Sequence, residues 1–139
     1  EYFCLEGTRL LLIEMPECKW TERMVSSILD IHDRRSINVM LAHIERYLSY
    51  NNKMAFELLL KHGILMQANT GFFIDKQRKA MRLLRNNKIH LLGTDAHTMS
   101  YKKPNLAQAL NIMIRKKGMP FIQKINEREN TLLYNDYYA

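Results

Sequence analysis

Leu91-Leu92-Gly93-Thr94-Asp95-Ala96-His97 is a short apolar run that ends in a carboxylate and an imidazole two residues apart. The same design recurs upstream. Val39-Met40-Leu41-Ala42-His43 runs into Ile44-Glu45-Arg46-Tyr47, and Leu10-Leu11-Leu12-Ile13 runs into Glu14. Unbroken apolar runs of this length suit strands buried on both faces of a parallel sheet. Three such strands, each finishing on a potential metal ligand, suggest a catalytic rim, because parallel strands bring their carboxyl ends to one edge.

Outward from these runs the chain alternates. Arg9 to Glu14, closed by Met15-Pro16, predicts a first strand covered on both faces. Thr21 can cap the helix that follows, with Trp20 stapled onto Val25, and Met24, Val25, Ile28, Leu29 and His32 form one helical face. Asn38 to His43 is the second strand. The pair Asn51-Asn52 caps a helix through Lys61 that Gly63 stops. Ile64 to Asn69 is a third strand, with Gly71 marking the turn beyond it. A helix from about Ile74 to Arg85 turns Ala80, Leu83 and Leu84 inward, and Asn86-Asn87 ends it. Ile89 to Thr94 is the fourth strand. Pro104 opens a helix through Lys117, and Phe121 to Tyr134 reads as one or two short helices.

The order β-α-β-α-β-α-β-α-α predicts an α/β fold of parallel β/α units, a single domain spanning residues 1–139. Four parallel strands are too few to close a barrel, so the chain is a small open sheet or part of a larger barrel.

Composition sets the class. An apolar fraction of 47% and a charged fraction of 25% in 139 residues are ordinary for one globular domain. No apolar run approaches the ~18 residues of a membrane span, and no basic segment followed by an apolar one reads as a signal peptide. Cys4 and Cys18 have neither metal-ligand spacing nor a disulfide framework, which fits a reducing cytoplasm. The net charge of +7 suggests an anionic partner. Nucleic acid is not expected, because the basic pairs Arg34-Arg35, Lys102-Lys103 and Lys116-Lys117 are scattered and no aromatic residues interleave with them.

Glu14, His43, Asp95 and His97 are the candidate metal ligands. Their mixture of nitrogen and oxygen donors suits zinc, manganese or iron. On extended backbone Asp95 and His97 would share a face, so both could reach one cluster. A divalent ion there would lower the pKa of its water toward neutrality. An isolated histidine is ordinarily a satisfied core or loop imidazole, and His32, His62 and His90 receive that reading. The ligand reading of the other residues rests on their coincidence at three strand ends. Arg46, three residues beyond His43, and Lys102, five beyond His97, lie on the same presumed rim. A guanidinium grips two phosphate oxygens at once, so metal and cations together describe phosphoester hydrolysis. The plain alternatives are an ion pair of Arg46 with Glu45 and solvation of Lys102.

Ala42-His43-Ile44-Glu45-Arg46-Tyr47, Gln67-Ala68-Asn69, Thr94-Asp95-Ala96-His97 and Leu12-Ile13-Glu14-Met15-Pro16 resemble the bacterial PHP-type protein tyrosine phosphatases that accompany capsule and exopolysaccharide synthesis genes. The resemblance runs through nearly the whole chain in order and spacing. It implies a distorted seven-stranded (β/α) TIM-like barrel with up to three metals, commonly manganese, and metal-dependent hydrolysis of phosphotyrosine. The implied partner is the tyrosine-rich tail of a bacterial tyrosine kinase. Carried over, Glu14, His43, Asp95 and His97 match metal ligands and Arg46 matches a phosphate-contacting arginine. Where Lys102 stands the family often has arginine. The family's first strand, His-x-His, and the ligands after it have no counterpart here. The resemblance therefore implies the carboxyl-terminal portion of a PHP domain, with little activity by itself and open sheet edges that a second copy could cover. Two alternatives keep part of this reading: another PHP phosphoesterase such as a histidinol phosphatase, and a degenerate, non-catalytic binding domain.

Overall fold

The computed structural model describes residues 3–35, 37–96 and 105–134. Four strands form one parallel sheet in sequential order: β1 (Leu10–Ile13), β2 (Asn38–Leu41), β3 (Leu65–Asn69) and β4 (Leu91–Gly93). Leu10 to Ile13 of β1 register with Asn38 to Leu41, Leu41 of β2 with Met66, and Gln67 to Asn69 of β3 with Leu91 to Gly93. Parallel neighbours need long crossovers, and helices supply them. These are α1 (Glu22–Arg35), α2 (Lys53–Lys61), and the consecutive pair α3 (Thr70–Asp75) and α4 (Gln77–Arg85). After β4 come α5 (Leu106–Arg115) and α6 (Met119–Tyr134). A single 3₁₀ turn, Ile44–Tyr47, follows β2.

Strand alternation splits the apolar side chains between two cores. Val39, Leu41, Met66 and Ala68 face the large one, with Val25, Ile28, Phe56, Leu59, Phe73 and Met113 from the helices. Met40, Leu10 and Leu91 face a smaller cluster, against which Leu132 of α6 packs. Trp20 stacks obliquely between Tyr47 and Phe56, with ring centroids 5.2 and 4.9 Å away.

Several expectations hold in detail. Thr21 caps α1, its Oγ1 accepting the Met24 N–H at 3.3 Å. Val25 and Ile28 are buried on α1, and Ala80 and Leu84 on α4. His32 bonds its ring nitrogen to the Ile37 carbonyl, and Cys4 and Cys18 are unpaired. Among the described residues no helix is long and apolar enough to cross a membrane.

Other expectations need correction. Leu12 of β1 is 45% exposed, so among the described residues that face of the strand is only partly covered. Gly71 belongs to helix α3, and the anticipated helix from Ile74 is two helices broken at Lys76, whose backbone leaves the helical region (φ −127°, ψ 48°). Burial of Phe72 and Phe73 explains the early start, since two adjacent aromatic side chains need a turn of helix to reach the core. Asn52 precedes α2 without capping it by side chain. Its Oδ1 instead accepts the Trp20 N–H at 2.8 Å, and its Nδ2 donates to the Cys18 carbonyl at 3.0 Å, pinning the β1–α1 connection. The reading of Phe121 to Tyr134 as one or two helices holds as one, α6, which already starts at Met119.

His90 is a core imidazole, as read. Its Nδ1 accepts the Met66 N–H at 3.0 Å, while its backbone N–H donates to the Met66 carbonyl at 2.8 Å. Burial, and secondarily the Arg128 charge, lower its pKa to about 4. An unfolded histidine takes up a proton near pH 6.5 and the folded one does not. Stability therefore falls as pH drops from about 6.5 toward 4, by up to about 3 kcal/mol. Thermal denaturation at pH 7 and pH 4.5 checks this. His90→Asn, whose carbonyl oxygen can still accept the Met66 N–H, should lose less stability on acidification than the unaltered protein. Equal losses would show that His90 does not carry the effect.

Candidate metal centre

β1 hands the chain directly to Glu14, while His43 and Asp95 each follow two residues after the ends of β2 and β4. The strands are parallel, so all three residues stand above one edge of the sheet. They meet there. His43 Nε2 is 2.9 Å from Glu14 Oε1 and 3.9 Å from Asp95 Oδ1. Arg46 folds back from the 3₁₀ turn and places Nη2 3.1 Å from Asp95 Oδ2. Arg46 thus pairs with Asp95, not with the Glu45 weighed as its partner. The side chains of His43 and Asp95 are 10% and 12% exposed and that of Glu14 is 64%, so solvent reaches the cluster from the Glu14 side. His97 and Lys102 lie outside the described residues.

The backbone is bent to make this meeting. His43 (φ 54°, ψ 43°) and Asp95 (φ 51°) both occupy the left-handed region. Histidine and aspartate enter it more readily than most residues, at a cost of roughly 1–2 kcal/mol each. Such strain concentrates at functional sites. At His43 the bend also opens the 3₁₀ turn, since the His43 carbonyl accepts the Arg46 N–H at 2.9 Å. One kink therefore lifts the imidazole over the rim and brings the guanidinium back to it. Asp95 does not sit on extended backbone, so the alternation expected to align it with His97 does not apply.

Three further residues support the cluster from the neighbouring strand and turn. The His43 N–H donates to Gln67 Oε1 at 2.8 Å, His43 Nδ1 lies 2.8 Å from Asn69 Oδ1, and Gln67 Nε2 donates to Asn69 Oδ1 at 3.2 Å. Glu45 Oε2 accepts the Asn69 N–H at 3.2 Å. Burial raises the Glu45 pKa, and backbone N–H bonds and the nearby His43 and Arg46 charges offset only part of that rise. Tyr47 Oη accepts the Met15 N–H at 3.0 Å and ties the turn to the residue after Glu14. Strand-end reasoning did not select Gln67 or Asn69. Their signal was two amide side chains at alternate positions of an otherwise apolar strand.

One imidazole nitrogen and two carboxylates fit a zinc, manganese or iron ion in donor type. Their polar atoms are already aimed at one another from three separate strand ends. Among the described residues no group of three or more His, Cys, Asp or Glu side chains is arranged to hold a metal ion, and Glu14 bonds His43 directly. The capsular polysaccharide synthesis family model, CpsB/CapC, matches residues 1–133. The chain belongs to the CpsB/CapC family.

Among CpsB/CapC relatives, tyrosine-protein phosphatase CpsB of Streptococcus agalactiae serotype III (strain NEM316) is 30% identical over 151 aligned positions, spanning 96% of this chain and 59% of that protein. Tyrosine-protein phosphatase CpsB of Streptococcus pneumoniae is 29% identical over 93 positions, 59% of this chain and 38% of that protein. A solved structure, from work describing YwqE of Bacillus subtilis and CpsB of S. pneumoniae as unique metal-dependent tyrosine phosphatases, matches with a TM-score of 0.83. That match has 24% identity and covers 96% of this chain and 56% of the solved one, which establishes a shared fold. The chain spans 59% of the length of its S. agalactiae CpsB relative.

Proposed function

We propose that this chain supplies the carboxyl-terminal strand ends of a metal-dependent protein-tyrosine phosphatase of capsular or exopolysaccharide synthesis, set in a distorted seven-stranded (β/α) PHP barrel. The observation that carries the reading is the meeting of Glu14, His43 and Asp95 above one sheet edge, with Arg46 on Asp95. Glu14, His43, Asp95 and, by sequence, His97 would hold the ions, manganese foremost with zinc or iron as alternatives. Bound ions supply Lewis acidity and an activated water for attack on phosphorus.

The protein groups do the rest. The Arg46 side chain is 33% exposed, so part of its guanidinium faces solvent while Asp95 fixes its plane. That fork can engage two phosphoryl oxygens and offset the charge that builds on them. Lys102, five residues beyond His97 in the sequence, would add a point charge. The substrate in this reading is the phosphotyrosine tail of a cytoplasmic bacterial tyrosine kinase, and the overall positive charge favours an anionic peptide.

The test compares a phosphotyrosine peptide with histidinol phosphate on the intact phosphatase, before and after chelation. Preference for the peptide, loss of turnover with chelator and recovery with Mn²⁺ are expected. Preference for histidinol phosphate would overturn the substrate class. Turnover indifferent to chelator would overturn the metal role, and hydrolysis of neither would favour a binding domain.

A further inference from the structure

The hydrogen bonds beneath His43 determine where its ring proton lies. A backbone N–H can only donate, so the Gln67 atom 2.8 Å from the His43 N–H must be the carbonyl oxygen. The other end of that amide is then Nε2, a donor, and it points at Asn69 from 3.2 Å. The Asn69 atom receiving it must be Oδ1, an acceptor. The same oxygen lies 2.8 Å from His43 Nδ1. Between that oxygen and Nδ1 a hydrogen bond exists only if Nδ1 carries the proton.

This relay starts and ends on His43, running from its backbone N–H through two amides to its own ring. It leaves Nε2 facing Glu14 Oε1 and Asp95 Oδ1. By the same rule the 2.9 Å contact of Nε2 with Glu14 Oε1, an acceptor, needs a proton on Nε2 while no cation is there; a bound cation would take that nitrogen's lone pair instead. A third residue makes the relay possible. A Cβ on Gly93 would fall 2.3 Å from Gln67 Nε2, so any larger residue would drive the amide from its place.

We propose that Gln67 and Asn69 are positioning residues that hold a proton on His43 Nδ1, leaving Nε2 as the nitrogen a cation would take, and that Gly93 is the seat that allows it. The consequence for metal binding rests on the function proposed above. The tautomer itself does not. Second-sphere partners of ligating imidazoles commonly fix tautomer and orientation in this way. Here the partner is an amide whose own orientation is dictated by the histidine backbone.

Gln67→Glu makes the test sharp. A carboxylate at position 67 can still accept the His43 N–H, but its second oxygen no longer donates. Asn69 must then turn its NH₂ inward, toward both the new carboxylate and His43 Nδ1, and the ring proton moves to Nε2. Asn69→Asp keeps an acceptor beside Nδ1 and should preserve the original tautomer.

The measurement is a long-range ¹H–¹⁵N correlation spectrum at pH 8.5 on the 139-residue chain, with His43 assigned against His43→Gln. The expected pattern is a proton on Nδ1 in the unaltered chain and in Asn69→Asp, and a proton on Nε2 with none on Nδ1 in Gln67→Glu. Titration with Mn²⁺ alone should show binding weakened by about 10–100-fold in Gln67→Glu and in Gly93→Ala. An unaltered chain with no proton on Nδ1 overturns the proposal. So does a folded Gln67→Glu whose ring proton has not moved. A purely structural role for Gln67 would lower the melting temperature and leave the tautomer alone. If Gln67→Glu does not fold, the unaltered chain and Asn69→Asp still decide. A tautomer switch with no Mn²⁺ binding in any form would support the relay and remove the metal role.

Discussion

On the function proposed above, Arg46→Ala in the full-length protein is expected to lower turnover of a phosphotyrosine peptide by about 10²–10³-fold, the usual effect of deleting one preorganised charge at a developing oxyanion. The loss should fall mainly on kcat, because the charge on the phosphoryl oxygens shifts as the bond to tyrosine breaks. Arg46→Lys should recover only part of it. An ammonium reaches as a point charge and cannot hold two oxygens in one plane. The melting temperature should move little, since the Arg46–Asp95 contact is partly solvated and such pairs contribute at most about 1 kcal/mol. Steady-state kinetics on the three forms, with thermal denaturation beside them, checks both halves. Full activity in Arg46→Ala would exclude the phosphate-gripping role. A large fall in melting temperature would recast Arg46 as a structural partner of Asp95.

What made Arg46 visible in the sequence was its place, three residues beyond a histidine that closes an apolar run. The same logic found Glu14, His43 and Asp95, and they converge because a parallel sheet leaves its strand ends no other edge. The strand and helix order was also legible, since apolar runs and helical spacing are local signals. Features that depend on distant partners were not. Nothing in Asn52 distinguishes a helix cap from a clamp on Trp20 and Cys18, because the same amide serves either. The left-handed turns at His43 and Asp95 have no glycine to announce them. They exist because the site requires the bend, and histidine and aspartate tolerate it. Gln67 and Asn69 looked like polar residues in a strand. Only their register beside His43 shows that the amides run in a fixed direction.

Phe73→Ala is expected to cost about 3–5 kcal/mol, the range for deleting a buried aromatic side chain. Phe73 is 0% exposed and packs edge-on to Phe72 at 6.2 Å within α3, which also lies against α5. In a chain of this size that loss corresponds to a melting-temperature drop of roughly 10 °C or more. Met54→Ala on α2 supplies the contrast. That side chain is 82% exposed, and its removal should change stability by no more than about 0.5 kcal/mol. The reach of the Phe73 change should extend to the candidate site. α3 begins at Thr70, the residue after Asn69, and the buried Thr70 hydroxyl bonds to Asn105 just ahead of α5. Loosening α3 therefore loosens the residue that faces His43 Nδ1. Chemical denaturation would give the stability change, and the His43 ring signals of the variant that remains folded would broaden as the contact to Asn69 is sampled less. A cost below about 1 kcal/mol would mean that Phe73 is not seated in the core as described. Without that seat, α3 would have no apolar reason to begin directly at the end of β3, and Asn69 would lose the helix that holds it against the imidazole.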